Sequence, residues 1–480
     1  MSFSGIKLGK DMESTMQKSK KAMTIRILSL ICCLGLMTVF CMHDVAGVTA
    51  SAGTLYELPA DTTILAKSAL VASLGATPEE DTILFELKPD SKRSPAALVR
   101  LMVGITAIEI IREKGIDTGK VTGTYSSEAF NVIAGHDLAS AQMVYGEEWT
   151  IKDLLSVSMI TTAADACATL SIALSGSHAQ FVARMNQLAG KIGCQNTSFA
   201  NVTGTDSASQ YTTAKDLYKI IRYSMDYPEF EPLFSTVQYT VTPVKEGTKR
   251  TFVNTNDMLR STTPYYYSPV SFGKTGYTSS AGRCLASVAR DSGYEYLCIV
   301  MGEPNIDNDG KQGAYFRDTR TLYRWAFNNF TYKILLNKNE PITQMPVALA
   351  WNKDSVTLVP EESFAATVIN DLQPETITKK IIRNSESVDA PVKKGEVLGK
   401  IELYIKTDQK LGEVNLVASE SIDQSRVLAV WAQIQLFLRS PWFYAGLALL
   451  AILLIGYIIL NIVHNRKLKR NRMKRLNRFR

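Results

Sequence analysis

Apolar residues recur at three- and four-residue spacings through much of residues 55 to 338, alternate with polar ones in short runs near both ends of that region, and fill Trp442 to Val463 without a charge. Helical spacing predicts helices over "AALVRLMVGITAIEIIREKG", ending at Gly115, over "TIKDLLSVSMI" and "AADACATLSIAL", over "HAQFVARMNQLAGKIG" with its Gly stop, and over "AYFRDTRTLYRWAFNNF". "TAKDLYKIIRYSM" adds another, opened by a capping Thr. Strand-like runs are "TILFELKPD", "YTVTPV" and "GRCLASVARDSGYEYLCIVMGE", the last a hairpin turning at Asp291 to Gly293. Strands at both ends with helices between them predict an α+β domain over residues 55 to 338. Over residues 340 to 422 the period changes. "SVTLVP", "FAATVI", "KKIIRN", "GKIELYI" and "GEVNLVAS" are short β-rich runs separated by turns, so a small all-β domain should follow, with a linker at 423 to 441.

The two ends predict topology. Residues 1 to 50 form an N-terminal extension in which Arg26 precedes the 16-residue uncharged run "ILSLICCLGLMTVFCM" and the small residues of "VTASAG" follow, the order of a secretory signal. The 22 residues 442 to 463 reach across a ~30 Å hydrocarbon core at 1.5 Å per residue. Trp442 and Tyr444 suit an interfacial belt, and the tail at 464 to 480 holds nine Lys or Arg and no acid, which favours the cytoplasmic side. The expected arrangement is a cell-membrane protein with one C-terminal span and the bulk of the chain outside.

That topology accounts for the charge. Of the formal net charge of +7, the tail carries +9 and residues 1 to 49 carry +3, leaving −5 for everything between. The basicity is topological and gives no ground for a nucleic-acid partner. Cys167, Cys194, Cys284 and Cys298 show no CxxC or His-paired spacing, so buried thiols are favoured over disulfides, and neither a metal nor a cofactor is expected.

Candidate chemistry centres on "SFGKTGYTSSAGRCLASVA". Lys274 and Thr275 offer a cation and a hydroxyl to a carboxylate, and Gly276 lets a ligand backbone approach closely. Together with "ILFELKPDSKRSPAALVRLM", "WTIKDLLSVSMITTAADACATL", "NTSFANVTGTDSASQYTTAKDLYKIIRY" and "VNTNDMLR", and with "APVKKGEVLGKIELYI" in the β region, this stretch resembles the D-alanyl-D-alanine carboxypeptidases, serine peptidases of the low-molecular-weight penicillin-binding type. The resemblance runs from about residue 55 to 422. It implies a penicillin-binding/β-lactamase-like transpeptidase domain, then a small β domain, then a membrane anchor, and a role on peptidoglycan stem peptides or beside cell-wall enzymes.

The resemblance also implies a Ser-x-x-Lys motif in which Ser attacks the D-Ala-D-Ala carbonyl and Lys takes its proton. Laid over "PAALVR", the Ser position is Ala97 and the Lys position is Arg100. A methyl group cannot attack, and a guanidinium has no lone pair to accept a proton. The family's Ser-x-Asn falls on Thr162 and Ala164, which keeps a hydroxyl and loses the amide. No intact catalytic set remains.

Ser94 precedes Pro95 and stands outside the helix; Ser4 to Lys7, Ser271 to Lys274 and Thr212 to Lys215 repeat the spacing in the N-terminal extension, on a strand and in scaffold. What the resemblance leaves is a substrate-binding edge made of Lys274, Thr275, Gly276 and the backbone N–H of Tyr277 at the place of an oxyanion donor. Asp165 reads as a helix-start residue. Arg100 either pairs with an acid or occupies the vacated pocket, and "PYYYSP" either rims the cleft or is plain loop. The expectation is a membrane-anchored, outward-facing pseudoenzyme that binds wall peptides or scaffolds wall enzymes; the alternative is an active D-Ala-D-Ala carboxypeptidase.

Overall fold

The computed structural model describes residues 56–476 apart from 61, 245–247, 308–309, 374–375 and 406–408, so the signal-like run and the last four residues of the tail lie outside the described residues. Strands β1 (Ser68–Ser73) and β2 (Thr82–Leu87) form one side of an antiparallel sheet. Helix α1 (Val99–Lys114) follows, with short strand β3 (Thr122–Thr124), helix α2 (Ser127–Ile133) and short strand β4 (Glu148–Thr150). Helices α3 (Ile151–Thr161), α4 (Ala164–Ser175), α5 (His178–Ile192), α6 (Ala214–Ser224) and α7 (Phe230–Ser235) come next. A small hairpin, β5 (Gln238–Val241) and β6 (Arg250–Val253), leads to β7 (Val270–Thr278), β8 (Gly282–Asp291) and β9 (Tyr294–Glu303), and α8 (Ala314–Asn329) closes the region. The five-stranded order is β2-β1-β9-β8-β7, which places β7 on an edge.

Both faces of this sheet are covered. On β9, Leu297, Ile299 and Met301 pack into the core that holds α1 and α3 to α7, while Tyr296, Cys298 and Val300 pack with Leu322, Tyr323 and Trp325 of α8. Alternation is therefore invisible in the residue types, although it is strict in space. Helix α1 is apolar nearly all round because it runs through the middle of the first core. It stops where Gly115 turns left-handed at φ 61°, as the Gly in its sequence predicts. Thr213 caps α6 by accepting from the Asp216 amide. The four cysteines Cys167, Cys194, Cys284 and Cys298 are free thiols.

The β region has strands β10 (Phe330–Leu336), β11 (Thr343–Ala348), β12 (Ser355–Pro360), β13 (Phe364–Ile369), β14 (Ile377–Arg383), β15 (Val388–Asp389), β16 (Val397–Ile405) and β17 (Gln409–Ala418). Six of them form one sheet in the order β14-β16-β17-β12-β11-β15, and β10 pairs with β13. Ser73 Oγ of β1 shares a 2.8 Å hydrogen bond with Thr367 Oγ1 of β13, and Tyr294 of β9 one of 3.0 Å with Thr331 of β10, which fasten the two parts together. The stretch read as a linker contains a helix, α9 (Arg426–Arg439), capped by the Ser425 hydroxyl on the Leu428 amide; α10 (Pro441–Leu476) follows and contains the apolar run. By length and composition α10 can cross a membrane.

One buried acid makes a pH prediction. Glu303, at the end of β9, is fully buried, with Asp318 of α8 beside it. Burial, and then the Asp318 charge, push its carboxyl up to about 9. In the window between the ordinary Glu value and that one, the folded chain holds a proton that the unfolded chain has released, so stability falls as pH rises, by at most about 1.4 kcal/mol per pH unit. Glu303→Gln is expected to flatten the decline in thermal midpoint between about pH 6 and pH 8. An unchanged slope in parallel melts would show that this carboxyl does not hold its proton.

Candidate functional site

The site forms where the edge strand β7 crosses the start of α1. Residues Ala96–Leu98 make one tight 3-10 turn before α1, with Ala96 held at φ 46°. Such a conformation in a residue with a Cβ is costly and needs support from its surroundings. Gly276 of β7 supplies part of that support: a Cβ added there would lie 3.0 Å from the Ala97 amide nitrogen and 3.2 Å from that of Leu98. From the other side Gly204, itself at φ +84°, comes so close that a Cβ would sit 2.4 Å from the Ala96 carbonyl oxygen. The turn is pinched between two glycines, and Ala97 is left half-exposed between them.

One turn on from Ala97, Arg100 is wholly buried. Nη2 donates to the Thr162 carbonyl at 3.2 Å, whereas Nε and Nη1 make no hydrogen bond. Among the described residues Arg100 forms no ion pair, and its side chain lies in the interior behind Ala97. Its charge is felt by Cys167, whose thiol burial pushes up and the guanidinium pulls back.

Thr162 ends α3 in a left-handed conformation, φ 72°, and turns the chain into α4. Ala164, the first residue of α4, is buried, and its amide donates to the Ala139 carbonyl. Asp165 accepts from Ser140 Oγ at 2.6 Å and from the amides of Ala141 and Met143, so it ties the 139–143 loop to the helix start, the structural role read from its position.

On β7, Lys274 is 1% exposed, and its Nζ donates to Thr255 Oγ1 at 3.1 Å. Thr255 Oγ1 in turn lies 2.7 Å from Thr275 Oγ1, and the Thr255 amide donates to the Ile160 carbonyl near the end of α3. Burial, and then the charge of Arg100, bring the Lys274 ammonium down to about 7. Tyr277, further along β7, is exposed, with the Arg283 guanidinium 4.1 Å over its ring. Ala97, Arg100, Thr162, Ala164, Lys274, Thr275, Gly276 and Tyr277 therefore stand on elements that converge at one place.

Two residues of this place had no role in the sequence reading. Thr255 lies inside "VNTNDMLR" and Gly204 inside "NVTGTD", both in segments that carried the family resemblance. Neither residue type announces chemistry, and only the fold brings them to the turn and the strand.

The other hydroxyls are engaged elsewhere. Ser94 Oγ donates to Asp206 at 2.5 Å, and Thr278 donates to the same carboxylate at 2.9 Å. Thr212 is buried against Thr197, and its backbone pairs with Arg93. Two of the "PYYYSP" tyrosines settle against α8, Tyr265 packing on Phe316 and donating to the Gln312 carbonyl and Tyr267 stacking on Tyr323, while Tyr266 between them is exposed. Among the described residues no group of His, Cys, Asp and Glu is placed to hold a metal ion.

Comparison with known proteins agrees with this geometry. The profile of the D-alanyl-D-alanine carboxypeptidase family matches residues 57–305, and that of the penicillin-binding protein 5 C-terminal domain matches residues 330–424. D-alanyl-D-alanine carboxypeptidase DacF of Bacillus subtilis is 25% identical over 351 residues, covering 72% of this chain and 85% of that protein. DacD of Escherichia coli is 27% identical over 347 residues, covering 70% and 83%. Among solved structures, penicillin-binding protein 5 of Haemophilus influenzae superposes with a TM-score of 0.60 at 23% identity, over 77% of this chain and all of that one. Penicillin-binding protein 6B of Escherichia coli gives 0.55 at 25%, over 77% and 99%.

The pinch and the buried charge are separable by mutation. Gly204→Ala is expected to cost about 2 kcal/mol or more, since it adds strain at positive φ to a backbone collision. Arg100→Met, which removes a charge lacking an acidic partner, is expected to be neutral or to stabilise by about 1–4 kcal/mol. It should also let Lys274 stay protonated to higher pH. Denaturant melts and amine titration check both, and a strongly destabilised Arg100→Met chain would mean that the guanidinium is compensated.

Proposed function

This chain belongs to the D-alanyl-D-alanine carboxypeptidase family, penicillin-binding proteins of cell-wall metabolism, and from that premise we propose that it is a member without covalent chemistry, which binds wall peptides in the old catalytic cleft. One observation carries the reading: the turn gripped by Gly204 and Gly276 presents a methyl group, Ala97, where a nucleophile would stand, with a guanidinium behind it in place of a base. Arg100 cannot accept a proton at any ordinary pH. Ala164 offers no amide to a ligand. Lys274, Thr275 and the Tyr277 N–H remain as groups that would hold a carboxylate and a carbonyl oxygen. Helix α10 would anchor the protein, with the two folded domains outside and the basic tail within. A scaffold for wall enzymes would use the same placement without the peptide.

A second reading, retained hydrolysis, has one observation in its favour. Lys274, brought down to about 7, sits 3.1 Å from the Thr255 hydroxyl, a hydroxyl and amine pair outside the Ser-x-x-Lys positions.

Release of D-Ala from diacetyl-L-lysyl-D-alanyl-D-alanine by the full chain in detergent separates the readings. The expected rate is at or near that of buffer, about 10⁴-fold or more below an intact nucleophile. The double variant Ala97→Ser with Arg100→Lys is expected to stay slow while Ala164 is unchanged, and to gain activity when Thr162→Ser and Ala164→Asn are added. Native turnover that Thr255→Val abolishes would establish the second reading. Binding of the same peptide, weakened by Lys274→Ala, separates a peptide binder from a scaffold.

A further inference from the structure

Helix α9 carries an apolar stripe that the protein leaves uncovered. Val427, Val430, Trp431, Ile434, Phe437 and Leu438 are all exposed, Trp431 to 56%, and at roughly 100° per residue they share one arc of about 120°. Arg426 and Gln433 stand on one margin of the stripe, and Gln435 and Arg439 on the other. Leu428, Ala429 and Ala432, off the stripe, are half-buried, whereas Leu436 is exposed. A contiguous apolar surface of this kind, rimmed by polar residues, marks a place where something else binds.

What binds follows from where the helix is attached. Ser440, extended at φ −68° and ψ 137°, separates α9 from α10, as the residue before a proline does. That one residue lies between Arg439 and Pro441, and the Phe437 ring packs on Phe443 of α10 with centroids 5.4 Å apart. With α10 across the bilayer, the C-terminal end of α9 is therefore held at the entry of the span. The other end lies 14 residues back, a distance of about 21 Å. Standing upright, the helix would carry Val427, Val430 and Trp431 out into water. Lying along the surface, it sets the whole stripe into the boundary between headgroups and acyl chains, with an arginine at each margin to meet anionic headgroups.

A helix lying flat brings part of the β domain down with it. At the start of α9 the Ser425 amide donates to the Leu349 carbonyl at 2.8 Å, and two residues further on, in the loop from β11 to β12, Trp351 is 70% exposed. With α9 upright that loop would stand about 21 Å off the membrane. With α9 flat it lies at the level where tryptophan is favoured.

We propose that the extracytoplasmic lipid surface is the partner of α9, bound along its apolar stripe, and that Trp351 of the β domain enters the same layer. The folded domains are then held close to the membrane at a fixed tilt and do not swing on a free tether. The inference rests on the reading of α10 as a membrane span.

Tryptophan quenching tests it, with the full chain reconstituted in vesicles of phosphatidylethanolamine and phosphatidylglycerol in which part of the lipid carries bromine near the headgroup end of its acyl chains. Trp149 and Trp325 are buried in the protein, so the quenchable emission belongs to Trp351, Trp431 and Trp442. Trp431→Phe and Trp351→Phe are each expected to remove a share of the quenching. Val430→Asp combined with Ile434→Asp is expected to abolish the Trp351 share, while α10 keeps the chain in vesicles washed with alkaline carbonate. Quenching that neither Phe substitution lowers would overturn the inference and leave the span standing. So would a cross-link between the stripes of two chains, which would assign the surface to a second copy. A native chain that carbonate strips from the vesicles would refute the span itself, and the inference with it.

Discussion

Backbone packs against backbone where β7 passes the opening turn of α1, and the cleft is organised around that contact. Gly276 lies against the Ala97 and Leu98 amides, and Gly204 lies against the Ala96 carbonyl, so the turn is held at an unfavourable φ by two neighbours that have no side chain. At this contact β7 is the edge of the five-stranded sheet, Lys274 is buried, and α1 runs on from the turn into the larger core. None of these requirements involves the side chain at position 97. A serine and an alanine would satisfy the pinch equally, because neither places a side-chain atom between the turn and the two glycines.

Position 100 is different, because the charge of Arg100 acts on two of its buried neighbours, Cys167 and Lys274. A lysine ammonium could shed its proton when buried; a guanidinium cannot. Arg100 therefore places a charge in the space shared with Thr162, Cys167 and Lys274, where burial first and then that charge lower the Lys274 ammonium. The Thr162 carbonyl, presented by a left-handed residue at the end of α3, accepts from its Nη2 at 3.2 Å. The result is an interior that holds two cationic side chains, Arg100 and Lys274.

Much of this was legible in the sequence, for identifiable reasons. Helices with one apolar face and a Gly or Thr at their boundary, such as α5 and α6, stand where their periodicity places them. The hairpin at Asp291 to Gly293 and the run of short strands after residue 340 follow from turn residues and alternation. Strand β1 was not legible, since all six residues of "SALVAS" are buried and show no alternation. Helix α9 was hidden in a stretch read as a connection. The joining of Thr255 to Lys274, and the unmatched nitrogens of Arg100, depend on which distant segments meet, and no local pattern encodes that. The contacts of Tyr265 and Tyr267 with α8 depend on the same long-range meeting of segments.

The account stands on the absence of an attacking atom at the turn that β7 grips. The most direct measurement is the intact mass of the full chain after prolonged exposure to a β-lactam, which acylates an activated hydroxyl in this fold and leaves a stable adduct. The account predicts an unchanged mass for the native chain, alongside a shifted mass for an active relative treated in parallel. A native chain heavier by one drug molecule, with the label mapped to any side chain lining the cleft, would contradict it.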